Sequence, residues 1–263
     1  MPLSGPIRDL RQALARADYT LSAEAYAALK ALFLAALASP VPLRAQAPEY
    51  GKPERLLNVD ASGAPVPLLA EVAGESHALL AEYPAFGEWM VSAPRGTLFP
   101  RWLCHLAGLR HRTVQLFIDH PTLPNHTLVQ VRSLSKLQYP GCFDLPVAGH
   151  VVGLDEPAAA LGKELAEELG LGPDDIEGLA CLGADDRGAP DSAGGVCDCE
   201  LSIVYRCRLR PQALARIHFA DGEVAAICVF ALPELQGVLA RHPERIASGL
   251  RDSLDGYLRS GTP

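Results

Sequence analysis

The stretch that decides the fold is Gly149-His-Val-Val-Gly-Leu-Asp155-Glu-Pro-Ala-Ala-Ala-Leu-Gly-Lys163-Glu164-Leu-Ala-Glu167-Glu168-Leu-Gly170-Leu171. Within it, Ala158 to Leu169 reads as a helix. Glu164, Glu167 and Glu168 fall at i, i+3 and i+4, so their side chains emerge on one helical face. Three carboxylates crowded together repel one another unless a cation or water separates them. Leu161, Leu165 and Leu169 form an adjoining apolar stripe that presses the helix onto a sheet and fixes where the carboxylates point. Hard divalent cations such as Mg²⁺ and Mn²⁺ want oxygen ligands of this kind. Taken alone, the cluster reads first as a solvated acidic face, since such faces are common on helices.

On the N-terminal side of this stretch, Thr113 to Ile118 and Thr127 to Val131 alternate in the β manner, and Asp119 to His126 connects them as a hairpin. Leu201 to Cys207 and Val224 to Phe230 are further strands, with helices expected from Pro233 to Ala240 and from about Arg245 to Leu258. Upstream, Leu56 to Asp60 followed by Ala61-Ser62-Gly63 reads as a short strand and turn. The segment from about 68 to 96 reads as an insertion with one helix and a loop. Strands and helices interleave, which predicts an α/β or α+β layered domain. Residues 7 to 16 and 22 to 38 carry apolar residues at helical spacing and read as a helical hairpin, the second helix starting at Ser22 and Glu24 and ending at Ser39-Pro40. The Pro-containing stretch from Val41 to Lys52 reads as a linker. The expected organisation is a helical extension and linker over 1–50 and a main domain over 51–263. The hairpin reads either as a packing arm or dimerisation element, which allows a homodimer, or as a substrate lid.

With 263 residues, 49% hydrophobic and 21% charged, the chain is long enough to bury a core and has the composition of a folded globular protein. A net charge of −8 gives no basic footprint, so nucleic acid is not an expected partner. The 7 cysteines are scattered, with no CxxC pair, and fit free thiols in a reducing cytoplasm better than a disulfide framework or zinc site. No signal-peptide core opens the chain, and the longest apolar run, Ala31 to Ala38, is too short to span a bilayer. A cytoplasmic protein with no membrane association is expected.

The glycine, acid, base, carboxylate triplet and closing Gly170-Leu171 together resemble the Nudix box, G-x5-E-x7-R-E-U-x-E-E-x-G-U, where U is a bulky apolar residue. Gly149, Glu164, Leu165, Glu167, Glu168, Gly170 and Leu171 match. Asp155 stands where the box has Glu, and Lys163 where it has Arg. In the family these two positions form an ion pair bracing loop against helix, so a shorter acid and an unforked base would brace it more loosely. Gly108 to Val114, Val131 to Lys136, Tyr139-Pro140-Gly141, Phe143-Asp144 and Ala148-Gly149-His150 are similar to the isopentenyl-diphosphate-isomerase-like branch of that superfamily. The resemblance runs from about 54 to 250, leaving the 68–96 segment unmatched, and implies an α/β/α sandwich on a mixed sheet. The N-terminal hairpin has no counterpart in the minimal family domain.

The resemblance implies a Mg²⁺- or Mn²⁺-dependent hydrolase acting by water attack on a small-molecule diphosphate. Glu164, Glu167, Glu168 and the main-chain carbonyl of Ala148 would be metal ligands, with Glu167 or Glu168 alternatively acting in part as base. Glu200 and Glu223 are candidates for a later base or ligand, though each reads more readily as a surface acid. Arg132 and Lys136 stand where phosphate-facing cations would be useful, though a solvated strand end explains them as well. His150 is a candidate substrate or metal contact or a buried loop residue; His105 and His111 stay outside the expected site. The isomerases carry a cysteine just before the glycine-histidine at the box entrance, where this chain has Ala148, while Cys142 lies six residues earlier. Hydrolysis is therefore the expected activity, with isomerisation and a catalytically silent binding module as alternatives. The substrate group beyond the diphosphate is set by loops such as 68–96, with Tyr83, Phe86 and Trp89, and 183–198.

Overall fold

In the computed structural model the described residues are 4–40, 42–43, 53–136, 138–187, 197–220 and 222–260. The linker expected over 41–52, apart from Pro42 and Leu43, lies outside them, as does most of the 183–198 loop. The chain divides into two compact units, one comprising Met1–Arg112, Val151–Asp155 and Asp186–Leu201, the other Thr113–His150, Glu156–Asp185 and Ser202–Pro263.

The first unit opens with the expected hairpin, α1 (Ser4–Arg16) and α2 (Ala23–Leu37). Ser22 caps α2, its side chain accepting from Ala25 N at 3.1 Å, a contact that contributes about 1 kcal/mol. Asp18 and Tyr19 make the turn with φ of 51° and 60°. That strained turn is held from outside: the buried Arg110 guanidinium pairs with Asp18 at 2.9 Å and Asp186 at 3.3 Å. The buried Asn58 amide also accepts from Leu21 N and donates to the Tyr19 and Arg110 carbonyls. Leu10 and Leu14 of α1 and Tyr26, Leu29 and Phe33 of α2 are buried in one cluster with Phe86, Phe99 and Leu103.

The 68–96 segment holds the expected helix, α3 (Ala70–Glu82), and also strand structure that its sequence hides. Strands β1 (Arg55–Leu57), β2 (Val91–Ala93) and β3 (Gly96–Pro100) form a three-stranded sheet in the order β1-β3-β2. These strands are too short to show an alternation. A seven-residue helix, α4 (Arg101–Ala107), follows directly and stops at Gly108, whose φ of +85° is left-handed; a Cβ there would lie 2.7 Å from Cys197 Sγ.

The remaining elements are β4 (His111–Asp119), β5 (His126–Arg132), β6 (Phe143–Asp144), β7 (Val147–His150), α5 (Pro157–Leu169), β8 (Ile176–Arg187), β9 (Glu200–Leu209), β10 (Val224–Ala231), α6 (Leu232–Arg241) and α7 (Ser248–Arg259). The sheet runs β10-β5-β4-β9-β8, with β6 paired to β5 and β7 to β4, and the class is α/β with a mixed sheet, as expected. Along β4 the alternation is clean: Phe117 joins Val129, Val204, Leu250, Leu254 and Tyr257 beneath α6 and α7, while Val114, Leu116 and Ile118 are buried facing the other way. Helix α5 starts with Pro157 in its first turn and ends at Gly170 with φ of +65°. It buries Leu161, Leu165 and Leu169, each contributing about 1.5–3 kcal/mol by leaving water. Strand β8 escapes the sequence reading because Gly178 and Gly183, both at positive φ, interrupt its apolar pattern.

Candidate active site

Because α5 packs against β7, its acidic face meets the strand that ends in Gly149-His150. The notch at Gly149 is filled by Glu164: a Cβ at Gly149 would lie 2.0 Å from the Glu164 carboxyl carbon, so only glycine admits this carboxylate. Glu168 is 5% exposed and its Oε2 accepts from Ala148 N–H at 3.0 Å. Burial pushes its pKa well above the usual carboxylate range, and the Glu164 charge adds to the shift while the Ala148 hydrogen bond opposes it. Glu167 is exposed. One helix thus presents three carboxylates in three environments, anchored to β7 at Ala148 and Gly149. This all-oxygen donor set, with a buried carboxylate and its charged neighbour, fits a hard divalent cation.

The other expected residues are placed as follows. Ala148 pairs with Gln115 of β4, and His150 with Thr113. Asp155 closes the loop before α5, its N–H donating to the Val152 carbonyl, and its own carbonyl accepts from Arg112 at 3.1 Å. Lys163 stands on the exposed side of α5. A Cβ at Gly170 would lie 2.0 Å from His218 Cε1, so the helix ends under that ring. Arg132 pairs with Asp144 at 2.7 Å and donates to the Gln138 carbonyl. Lys136 pairs with Glu223 at 2.6 Å. Both cations, and Glu223, therefore have partners within the protein.

A second donor set, in the first unit, was invisible in the sequence. His105 of α4, His111 at the start of β4 and Glu200 at the start of β9 each offer a ligand atom within 4.8 Å of the others. His111 Nδ1 lies 2.8 Å from the Leu109 carbonyl, which only accepts, so Nδ1 carries the proton and Nε2 is turned toward Glu200 Oε1 at 3.9 Å. Burial, then the neighbouring His105, lowers the His111 pKa to about 3, so the ring is neutral. His105 Nδ1 contacts the Asp198 carboxylate, and the two rings lie 4.9 Å apart. Imidazoles whose second nitrogen is fixed by a carboxylate or carbonyl suit a borderline divalent ion. The six-residue spacing of His105 and His111 spans the end of α4 and the Gly108 turn, and Glu200 joins them only through the pairing of β9 beside β4.

No family model matches the chain. It is 37% identical over 81 residues to Nudix hydrolase 3 of Arabidopsis thaliana, a match covering 31% of this chain and 10% of that protein. It is 30% identical over 150 residues to the isopentenyl-diphosphate Delta-isomerase of Dinoroseobacter shibae, covering 56% of this chain and 78% of that enzyme. The match thus spans a tenth of the first relative's length and more than three-quarters of the second's. Among solved structures, a mutT/nudix family protein from Listeria innocua is 21% identical with a TM-score of 0.41, covering 57% of this chain and 92% of that one. A MutT protein from Methanosarcina mazei Go1 is 16% identical with a TM-score of 0.43, covering 57% and 94%. An α/β chain whose carboxylate helix ends at a left-handed Gly170, and which is similar over most of a relative's length, defines a class. The chain belongs to the Nudix superfamily, in the branch similar to isopentenyl-diphosphate isomerases.

Proposed function

We propose that the protein is a divalent-metal-dependent hydrolase that cleaves the diphosphate linkage of a small organic molecule by attack of water on phosphorus. The observation that carries this reading is the intact carboxylate set of α5, with Glu164 seated at Gly149 and Glu168 buried and bonded to Ala148 N–H. Glu164, Glu167, Glu168 and the Ala148 carbonyl would hold Mg²⁺ or Mn²⁺. When bound, such an ion neutralises diphosphate oxygens and acidifies a water molecule. With Oε2 committed to Ala148 N–H, Glu168 has Oε1 left to take a proton, and its raised pKa suits it to act as general base. Arg132, Lys136, His150 and Glu223 remain candidate substrate contacts; for the two cations and Glu223 this requires exchanging the present ion pairs for phosphate or metal. His105, His111 and Glu200 would hold a second ion of the borderline kind.

Similarity to an isopentenyl-diphosphate Delta-isomerase supports a second reading, allylic proton transfer. Against it, Ala148 offers no proton where the resemblance places a cysteine. Cys142 also faces elsewhere, its Sγ lying 3.5 Å from the Glu244 carbonyl. A panel of nucleoside, dinucleoside and isoprenoid diphosphates, incubated with Mg²⁺ or Mn²⁺ and read by mass spectrometry, separates the two. Monophosphate products support hydrolysis, whereas dimethylallyl diphosphate from isopentenyl diphosphate at a catalytic rate overturns it.

A further inference from the structure

The β4–β5 turn, at the opposite end of β4 from His111, borders an open cavity of about 320 Å³ whose lining includes Asp119, His120, His126 and Arg208. Its walls are fixed by local chemistry. His120 N–H donates to the His126 carbonyl at 2.9 Å, closing the loop, and Pro121 and Pro124 restrict it further. Thr122 N–H and Leu123 N–H both donate to His120 Nδ1, at 3.2 and 3.0 Å. That nitrogen is therefore the acceptor, and the neutral ring carries its proton on Nε2. His126 is the reverse: Nδ1 lies 2.8 Å from the Pro124 carbonyl, so Nδ1 holds a proton, and in the neutral ring Nε2 is a lone pair.

Charge in the cavity is unbalanced. The Asp119 carboxylate is matched by Arg206, at 2.7 Å, and accepts from the Tyr257 hydroxyl at 2.5 Å. The Arg208 side chain lines the same cavity and makes no ion pair or hydrogen bond with another described residue. An unmatched guanidinium in a chain of net charge −8 is a local positive centre in a repelling surround.

We propose that this cavity is an anion site for a phosphate group. The Arg208 fork serves two oxygens and His120 Nε2–H a third, while the His126 Nε2 lone pair takes a hydrogen from P–OH or from a hydroxyl of a phosphate monoester. A carboxylate ion, flat and without a hydroxyl, leaves His126 unserved, and so does sulfate. A metal ion is disfavoured because His120 Nδ1 already accepts two N–H groups, so its Nε2 would have to surrender its proton. The site does not depend on the diphosphatase reading.

The test is a titration of the full chain, with divalent metal chelated, followed by ¹H–¹⁵N correlation of the histidine rings. The free protein should show His120 protonated at Nε2 and His126 at Nδ1. Inorganic phosphate should move both resonances saturably in the low millimolar range, with sulfate and acetate about tenfold weaker, and Arg208→Gln should weaken phosphate by about tenfold or more. Adenosine monophosphate binding more tightly than phosphate assigns the site to phosphate monoesters; equal or weaker binding assigns it to free phosphate. Rings unmoved at about 20 mM phosphate, acetate binding as well as phosphate, or undiminished binding in Arg208→Gln would each overturn the proposal. Should Arg208→Gln fail to fold by circular dichroism, Arg208→Lys replaces it, keeping the charge without the fork; a several-fold loss is expected and none would overturn it.

Discussion

Helix α5 and the His105–His111–Glu200 set are both places where a cation would find ligands, and they are built in opposite ways. On α5 all three carboxylates come from one short stretch, and a single helical turn brings them together. The histidine set draws on α4, β4 and β9, and exists only because a seven-residue helix, a left-handed Gly108 and a strand pairing converge. The first is hard and acidic, with one carboxylate whose charge is resisted by burial. The second pairs two imidazoles, that of His111 held neutral by burial, with a single carboxylate, Glu200. The donor types differ accordingly: the oxygen set of α5 suits a hard cation, and the imidazole-containing set a borderline one.

The largest expected effect falls on α5. Glu167→Gln and Glu168→Gln keep shape and remove charge, so kcat/KM on a diphosphate substrate should fall by roughly two orders of magnitude or more. Equal losses from His111→Gln, with the glutamate variants unaffected, would invert the comparison. Next comes Gly149→Ala, whose methyl overlaps the Glu164 carboxyl. It should lower activity at least about tenfold by displacing that carboxylate, with little change in urea unfolding, because the flexible end of Glu164 can swing away.

The two regions should also respond oppositely to pH in chelated protein. The folded-state pKa of His111 is about 3 against an ordinary 6.5, so below pH 6.5 only the unfolded chain takes up the proton. Stability should therefore fall as pH drops from about 6.5 toward 3, and His111→Gln should flatten that limb. Glu168 has a raised pKa, so above its ordinary 4.5 the unfolded chain loses a proton the folded one keeps. Its contribution weakens as pH rises, and Glu168→Gln should stabilise the metal-free protein at neutral pH while changing little in acid. Urea midpoints across pH read both slopes; parallel slopes would refute the assigned environments. The smallest effect is Lys163→Arg, which should leave activity equal or slightly higher, as the forked base the box ordinarily carries braces a carboxylate by two bonds.

What was legible follows the same division. The α5 pattern, the β4–β5 hairpin and the N-terminal helices are local periodicities, and each forms near its expected bounds. Strands β2 and β3 are too brief to display a period, and β8 is broken by glycines. The ion pairs of Arg132 with Asp144 and Lys136 with Glu223 depend on pairings with β6 and the approach to β10, so the sequence showed cations without their partners. Likewise, nothing in the spacing of His105, His111 and Glu200 distinguished packed histidines from ligands.

In the proposed reaction, water attacks phosphorus under control of the α5 carboxylates. Its most direct measurement is turnover of the diphosphate panel in ¹⁸O-labelled water with Mg²⁺ or Mn²⁺, locating the label by mass spectrometry. The expected result is ¹⁸O on a phosphate-bearing product, lost together with turnover in Glu167→Gln and Glu168→Gln. Dimethylallyl diphosphate formed without phosphate release, or labelled product made at an unchanged rate by both variants, would contradict it.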